Sequence, residues 1–139
     1  MTKTAVDNKR AQDVKTLFNV KSTRSVALRV RNRGYAPISN FRVGAAILDE
    51  RGIIHAGCNV ENTLQAAIHA EVAALSAMIA GGGIRIEYLA VTAVPCGACR
   101  AMLAEFMTED TVIAVVSEDS EEVTEYSISE LYPHAFALT

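Results

Sequence analysis

The stretch Pro95-Cys96-Gly97-Ala98-Cys99 follows an apolar run and begins a helical pattern, and a second stretch, His69-Ala70-Glu71, begins the helical pattern before it. Two thiols three residues apart lie on one turn of a helix, so they can bind a soft divalent metal from the same side. A His from the other helix can supply a third ligand. Three protein ligands leave one tetrahedral position open, which is typical of a catalytic zinc rather than a structural one.

The segments around these two stretches predict a sheet. Residues 42–48 and 53–60 are apolar and are separated by Asp49-Glu50-Arg51-Gly52, which predicts an antiparallel hairpin. Three more strands are predicted. Residues 86–94 have almost no polar face and are expected at the centre of the sheet, 111–116 form another apolar strand, and 123–128 form a polar edge strand.

Helices are predicted between and before these strands. An N-terminal helix is expected to run to Gly34 after a loose tail over residues 1–8, with a break near 21–23. Further helices are expected over 66–80, which ends at three glycines, over 97–106, and in a short turn that ends at Leu131 before Pro133. The order of elements indicates one three-layer α/β domain, over residues 1–139, with a mixed sheet.

Composition excludes several classes of protein. The chain has 139 residues, half of them hydrophobic, and a net charge of −3. Its only dense basic patch, residues 24–33, is interpreted as a solvated helix face, so we expect no nucleic-acid partner. No apolar run is long enough to cross a membrane, and the first residues lack the apolar core of a signal peptide. Two of the three cysteines lie in the Cys-x-x-Cys, which favours a reducing compartment, and we expect the cytoplasm.

The chemistry of such a cluster follows from its charge. Zn²⁺ with the thiolates of Cys96 and Cys99 and a neutral His69 is formally neutral and lowers the pKa of bound water. Helix N-termini are expected to favour the thiolate forms. Glu71 is positioned to take a proton from that water and pass it to a ring nitrogen and then to a leaving amine. This is hydrolytic deamination of an amidine-like carbon, and His-x-Glu followed by Pro-Cys-x-x-Cys is the known signature of zinc deaminases.

Two other interpretations of the cysteines are open. A thioredoxin-like redox pair would leave His69 and Glu71 without a role. A structural zinc would need a fourth ligand, with His55, Cys58 or His134 as candidates. Cys58 is instead expected to be a small buried residue on its strand, and His55 to be exposed near the turn.

Beyond the zinc motif, the sequence resembles the cytidine deaminase family over most of its length. The likeness is carried by Tyr35-Ala36-Pro37-Ile38-Ser39-Asn40-Phe41-Arg42-Val43-Gly44-Ala45-Ala46, Gly57-Cys58-Asn59-Val60-Glu61-Asn62, Pro95-Cys96-Gly97-Ala98-Cys99-Arg100 and Leu131-Tyr132-Pro133-His134-Ala135-Phe136. The resemblance implies a three-layer α/β/α fold around a five-stranded mixed sheet with helices on both faces. It also implies one zinc ion per chain and a homo-oligomer, usually a tetramer for chains of this length.

The resemblance also implies substrate-binding roles. Phe41 would lie against the pyrimidine ring, Asn59 and Glu61 would hydrogen-bond the ribose, and the backbone N–H of Ala70 would bind the base O2. Phe136 would reach the pocket of a neighbouring subunit. Without the resemblance, each of these residues would be interpreted as a core, turn, surface or packing residue.

The chain departs from the short tetrameric members in three places. They carry Cys-Ala-Glu-Arg, whereas this chain has His69-Ala70-Glu71-Val72. The segment before it is one residue short, with Gln65 near a usual aromatic, and Ile38 replaces a common Tyr. We expect a zinc-dependent deaminase of cytidine or 2′-deoxycytidine in pyrimidine salvage. The alternatives are a deaminase of another cytosine-like compound, such as a nucleoside antibiotic, or a non-catalytic zinc-bearing interaction module, while a polynucleotide-editing deaminase is disfavoured by the charge.

Overall fold

A five-stranded sheet forms the middle layer of the computed structural model, which describes residues 5–119 and 122–138 and the side chains from residue 15 onwards. The strand order is β2-β1-β5-β6-β7. The pairs β2–β1, β1–β5 and β6–β7 are antiparallel, and β5–β6 is parallel. The strands are β1 (Gly44–Asp49), β2 (Ile54–Cys58), β5 (Ile86–Val91), β6 (Val112–Val115) and β7 (Thr124–Tyr126). The predicted mixed sheet, with the apolar β5 at its centre and the polar β7 at an edge, is therefore confirmed.

Helices cover both faces of this sheet. The helix α1 (Ala5–Arg31) lies on one face, and α2 (Ala70–Ala80) and α3 (Gly97–Ala104) lie on the other, with a short α4 (Ile128–Leu131) beside α3. Alternate residues of each strand point to opposite faces. Thus Ala45 and Ile47 of β1 pack with α2, whereas Ala46 and Leu48 pack with α1. The fold has three layers because helices bury both faces of the sheet.

Two glycines set the distance between the layers. A Cβ at Gly44 would lie 2.1 Å from the carbonyl oxygen of Ala27 in α1. On the other face, a Cβ at Gly57 would lie 2.4 Å from the backbone nitrogen of Ala74 and 2.5 Å from the carbonyl oxygen of Ala70, both in α2. Real contacts of this kind do not approach so closely, so only glycine lets the backbones meet at these points.

The N-terminal helix differs from its prediction. It begins at Ala5, inside the predicted tail, of which residues 1–4 lie outside the described residues. It also runs unbroken through residues 21–23. The hydroxyl of Thr23 donates a hydrogen bond to the carbonyl oxygen of Asn19 at 2.6 Å, one turn earlier, and the residue is fully buried. The hydroxyl is therefore satisfied within the helix, and no glycine or proline interrupts it.

The second helix begins later than predicted. Residues 66–69 precede α2, and the short strand β4 (Ala67–Ile68) pairs with β3 (Val60–Glu61) in a separate two-stranded sheet. A tight turn, with Gln65 at φ 68°, joins the two strands. Alanines favour a helix in isolation, but strand pairing with β3 takes priority here. Across the described part of the chain, no helix combines the length and hydropathy that a bilayer crossing requires.

Candidate metal centre and cleft

The cleft lies at one edge of the main sheet. The strand β1 begins there, β2 ends there, and β5 ends there before the turn that leads to Pro95 and α3. The hairpin formed by β3 and β4 and the loop of residues 35–43 form its outer walls. It has a volume of about 300 Å³ and is lined by Ser39, Phe41, Val43, Asn59, Glu61, Ala67, Ile68, His69, Ala70, Glu71, Ala93, Val94 and Cys96.

The first residue before each of two helices supplies a possible metal ligand. His69 is the N-cap of α2 and Cys96 is the N-cap of α3, and neither side chain forms a capping hydrogen bond. An N-cap side chain usually turns back to the helix. Here the imidazole and the thiol project toward each other, and Cys99 follows Cys96 by one helical turn. The structure therefore brings together the three ligands that the sequence predicted.

The geometry of this group fits zinc. The Nδ1 atom of His69 lies 3.2 Å from Sγ of Cys99 and 3.3 Å from Sγ of Cys96. All three ligand atoms lie within 4.8 Å of one another. Ideal tetrahedral zinc geometry separates a nitrogen and a sulfur ligand by about 3.6 Å. A nitrogen and two sulfurs at this spacing suit Zn²⁺ better than Mg²⁺ or Ca²⁺, which prefer oxygen.

No fourth protein ligand joins the group within the described part of the chain. His55 does not, since its Nε2 lies 2.8 Å from Oδ2 of Asp49. Its side chain is only 9% exposed, so the prediction of an exposed His55 was wrong: the buried carboxylate draws it inward. Cys58 is partly buried on β2, and His134 is exposed near the C-terminal end of the described chain. A structural site with four protein ligands is therefore not supported.

Glu71 completes the inner end of the cleft. It lies in the first turn of α2, is 5% exposed, and lines the cleft beside His69 and Cys96. Burial raises the pKa of the Cys99 thiol, and the neighbouring Glu71 carboxylate and Cys96 raise it further. At Cys99, burial therefore opposes the helix N-terminus, which was expected to favour the thiolate. A bound cation is needed to stabilise that thiolate, as in other thiolate sites.

The residues expected to bind substrate fall into two groups. Phe41, Asn59, Glu61 and Ala70 all line the cleft. Phe136 does not: it is 85% exposed and borders a surface hollow beside α3. The role of Phe136 at the pocket of a neighbouring subunit stays a prediction.

Asn59 and Glu61 also hold the loop that carries Phe41. The side-chain amide of Asn59 accepts a bond from the N–H of Val43 and donates one to the carbonyl oxygen of Phe41, both at 2.8 Å. Oε1 of Glu61 accepts bonds from the N–H groups of Ile38 and Ser39. These bonds, that of Ser39 foremost, hold the pKa of Glu61 below its ordinary value.

Two residues near the centre were not predicted. The guanidinium of Arg100 donates to the carbonyl oxygens of Pro95 and Leu131, both at 2.8 Å, and so joins the start of α3 to α4. Ser39 lines the cleft and accepts a bond from the N–H of Phe41. The sequence does contain a signal for the contact between Ser39 and Phe41: a serine lies two residues before an aromatic residue in a loop that follows a proline.

Residues 19–115 match the family described as "Cytidine and deoxycytidylate deaminase zinc-binding region". The chain belongs to this deaminase family. Among its relatives, the cytidine deaminase of Sporosarcina psychrophila is 34% identical over 116 residues, which cover 78% of this chain and 85% of that protein. The cytidine deaminase of Halalkalibacterium halodurans is 35% identical over 117 residues, 79% of this chain and 88% of the relative.

Solved structures of the deaminase family share the fold. The crystal structure of cytidine deaminase from Mycobacterium tuberculosis superposes with a TM-score of 0.74 at 32% identity and covers 85% of this chain and 97% of that chain. That of cytidine deaminase from Burkholderia pseudomallei gives 0.77 at 32% identity, with 84% and 98% covered. The predicted α/β fold of the family is confirmed, and the zinc-binding character of the family agrees with the three ligands found here.

Proposed function

We propose that this protein is a zinc-dependent hydrolase that converts cytidine or 2′-deoxycytidine to the corresponding uridine and ammonia. One observation carries this proposal: His69, Cys96 and Cys99 form a metal-ligand group at the same cleft that holds Glu71 and Phe41. The cleft, at about 300 Å³, is at the small end of the usual range for ligand sites. The names of the relatives, at 34–35% identity, support the same reaction.

The metal ligands and Glu71 would have different roles in such a reaction. Zinc, when held by His69, Cys96 and Cys99, would supply a Lewis acid that activates water. Glu71 would accept the two protons of that water in turn and deliver one to the ring nitrogen and the other to the departing amino group, so that water and cytidine become uridine and ammonia. Its low exposure, 5%, would keep the carboxylate at one position and exclude competing solvent.

The outer part of the cleft would hold the nucleoside. Phe41 would contact the flat face of the pyrimidine, and the N–H of Ala70 would bind the base O2. Asn59 and Glu61 would bind the ribose with the hydrogen-bonding capacity that their contacts to the loop leave over, since each carbonyl or carboxylate oxygen has more than one acceptor position. These assignments come from the family resemblance and from the placement of all four residues around one cleft.

The test is a combined measurement on one purified sample. Elemental analysis is expected to find about one zinc per chain, and cytidine is expected to lose its absorbance with release of ammonia. Removal of the metal by a chelator should abolish turnover, and added zinc should restore it. A protein that holds zinc but deaminates no cytosine derivative would contradict the proposal and favour a non-catalytic interaction module.

A second candidate is a deaminase of another cytosine-like compound, such as a nucleoside antibiotic. The observation in its favour is the short β3–β4 hairpin beside the cleft, where Gln65 adopts φ 68° and Leu64 is 86% exposed. A panel of cytosine nucleosides with altered sugars, compared by kcat/KM, separates the two. A preference of at least tenfold for one of these over cytidine would favour the second candidate.

We also propose a homotetramer that acts in pyrimidine salvage in the cytoplasm. The exposed apolar residues Phe136, Leu138 and Met102 support contact with further copies, in which Phe136 would close a neighbouring pocket. Cysteine usage supports a reducing compartment. Light scattering coupled to gel filtration should give the mass of four chains, and a monomer with full activity would contradict the role of Phe136.

A further inference from the structure

The loop of residues 35–43 forms one wall of the cleft and is held to the strand β3 at several points. Tyr35 pairs with β3 through its backbone, donating to the carbonyl oxygen of Asn59 at 2.9 Å and accepting from the N–H of Glu61 at 2.7 Å. The side chain of Asn59 binds the backbone of Phe41 and Val43 at the other end of the loop. Between these two anchors, residues 37–40 are solvent-exposed.

The exposed part of the loop has a conformation that needs support. Asn40 has φ 56°, the left-handed region that non-glycine residues rarely adopt, although Asn tolerates it better than most. The N–H of Asn40 donates to the carbonyl oxygen of Ala36 at 2.9 Å. Phe41, which directly follows, is 58% exposed, so little packing holds its ring over the cleft.

Ser39 stabilises the part of the loop that contains Asn40 and Phe41. Its Oγ accepts a hydrogen bond from the N–H of Phe41 at 3.0 Å, across Asn40. The N–H of Ser39 donates to Oε1 of Glu61 at 3.0 Å. Ser39 therefore binds the backbone of Phe41 through its hydroxyl and the carboxylate of Glu61 through its N–H.

We propose that Ser39 is a positioning residue for the nucleoside, because its hydroxyl holds the backbone of Phe41 while its N–H holds the carboxylate of Glu61, so that Ser39 fixes the spacing between these two side chains. The inference rests on the proposed function, in which Phe41 contacts the base and Glu61 the sugar. A nucleoside spans both groups, so its binding depends on their separation. The proton-transfer chemistry takes place at Glu71, at the inner end of the cleft, and does not involve Ser39.

The variant Ser39→Ala tests this inference through the kinetic constants. KM for cytidine and the inhibition constant of uridine should both rise by roughly tenfold, the usual effect of losing one well-placed hydrogen bond, while kcat stays within about twofold. Ser39→Thr retains the hydroxyl and should restore both constants. Zinc content and melting temperature should not change, because the residue is exposed.

Ser117→Ala is the matched control. Ser117 is also exposed and also accepts a bond from the N–H two residues later, that of Asp119 at 3.2 Å, but it does not line the cleft. The Ser117→Ala variant should have the same KM, kcat and uridine inhibition constant as the wild type. A Ser39→Ala enzyme with wild-type KM, or one whose loss lies in kcat alone, would overturn the inference while leaving the proposed function intact. A wild-type protein that deaminates no nucleoside would overturn both.

Discussion

Glu71 is separated from the ligand His69 by a single residue, and the two side chains line one cleft because α2 begins between them. In the proposed reaction, its carboxylate would move the protons. Glu71→Gln keeps the shape of the side chain but removes its basicity. We expect the variant to bind zinc normally and to lose about 10³-fold or more in kcat, since general acid–base catalysis accounts for factors of this size.

Glu105→Gln serves as the control for this variant, because Glu105 is exposed at the end of α3 and does not line the cleft. It should retain wild-type kcat and zinc content. Substantial turnover by Glu71→Gln, measured by ammonia release, would remove Glu71 from the proton-transfer role.

His69 affects the charge of the metal centre. Two thiolates and a neutral imidazole balance the charge of Zn²⁺, whereas His69→Cys would add one negative charge. Val72 lies one helical turn after His69 and borders the same apolar hollow as His69 and Cys99, so no cation is placed there to offset it. We expect His69→Cys to lower kcat/KM by roughly tenfold or more.

The double variant His69→Cys, Val72→Arg tests that reasoning by supplying the missing cation one turn away. It should recover part of the lost kcat/KM, and Val72→Arg alone should not improve the enzyme. Equal kcat/KM for His69→Cys and the wild type, at equal zinc content, would disprove the charge argument.

At the scale of elements, the contact between β2 and α2 positions two functional side chains at once. Gly57 lets the strand lie against the helix near Ala70 and Ala74, and the same helix carries Glu71 and follows His69. The added methyl group of Gly57→Ala has no space. We expect the free energy of unfolding in urea to fall by about 2–3 kcal/mol, as for other overpacked sites, with a loss of activity.

Gly97→Ala provides the contrast, since a Cβ at Gly97 would meet nothing within 4 Å at the start of α3. Its free energy of unfolding should stay within about 0.5 kcal/mol of wild type. Similar losses in both variants would mean that the close approach of β2 and α2 is not what makes Gly57 necessary.

At the scale of the whole molecule, the cleft and a buried carboxylate that stabilises the fold lie at opposite ends of β1. The cleft lies at its Gly44 end, and Asp49 lies at the other, 1% exposed. Burial alone would raise the pKa of Asp49, but hydrogen bonds from His55, Arg51 and the N–H of Ile53 together lower it well below its ordinary value of 3.8. The ionised carboxylate therefore stabilises the fold.

The sign of the pH dependence follows from that lowered pKa. The contribution is complete above about pH 5 and is lost as the pH falls through 4 and below, because only the unfolded state binds the proton there. Asp49→Asn should lower the free energy of unfolding by roughly 2–4 kcal/mol at pH 7 and by less at pH 3. The kcat/KM at neutral pH should change little. Urea unfolding at several pH values measures this, and a cost that grows toward acid would contradict the assignment.

Much of this protein could be predicted because its signals are short-ranged. Apolar runs, the turn with Gly52 and the glycines after Ala80 indicate where strands and helices begin and end, and they predicted the mixed sheet with a central β5. The residue types and spacing of His69, Cys96 and Cys99 also predicted the metal centre, because the metal that a side chain prefers depends on its own donor atom.

What only the tertiary structure decided depends on partners that folding brings together. His55 is buried because Asp49 receives it, residues 67–68 form a strand because β3 is beside them, and the thiol pKa of Cys99 is raised by burial next to Glu71. Likewise, the bonds from Asn59 and Glu61 to the loop that carries Phe41 exist only once β3 lies against that loop. Local sequence patterns determine which groups are available, but the free energy of burying and pairing them depends on contacts that the folded chain alone creates.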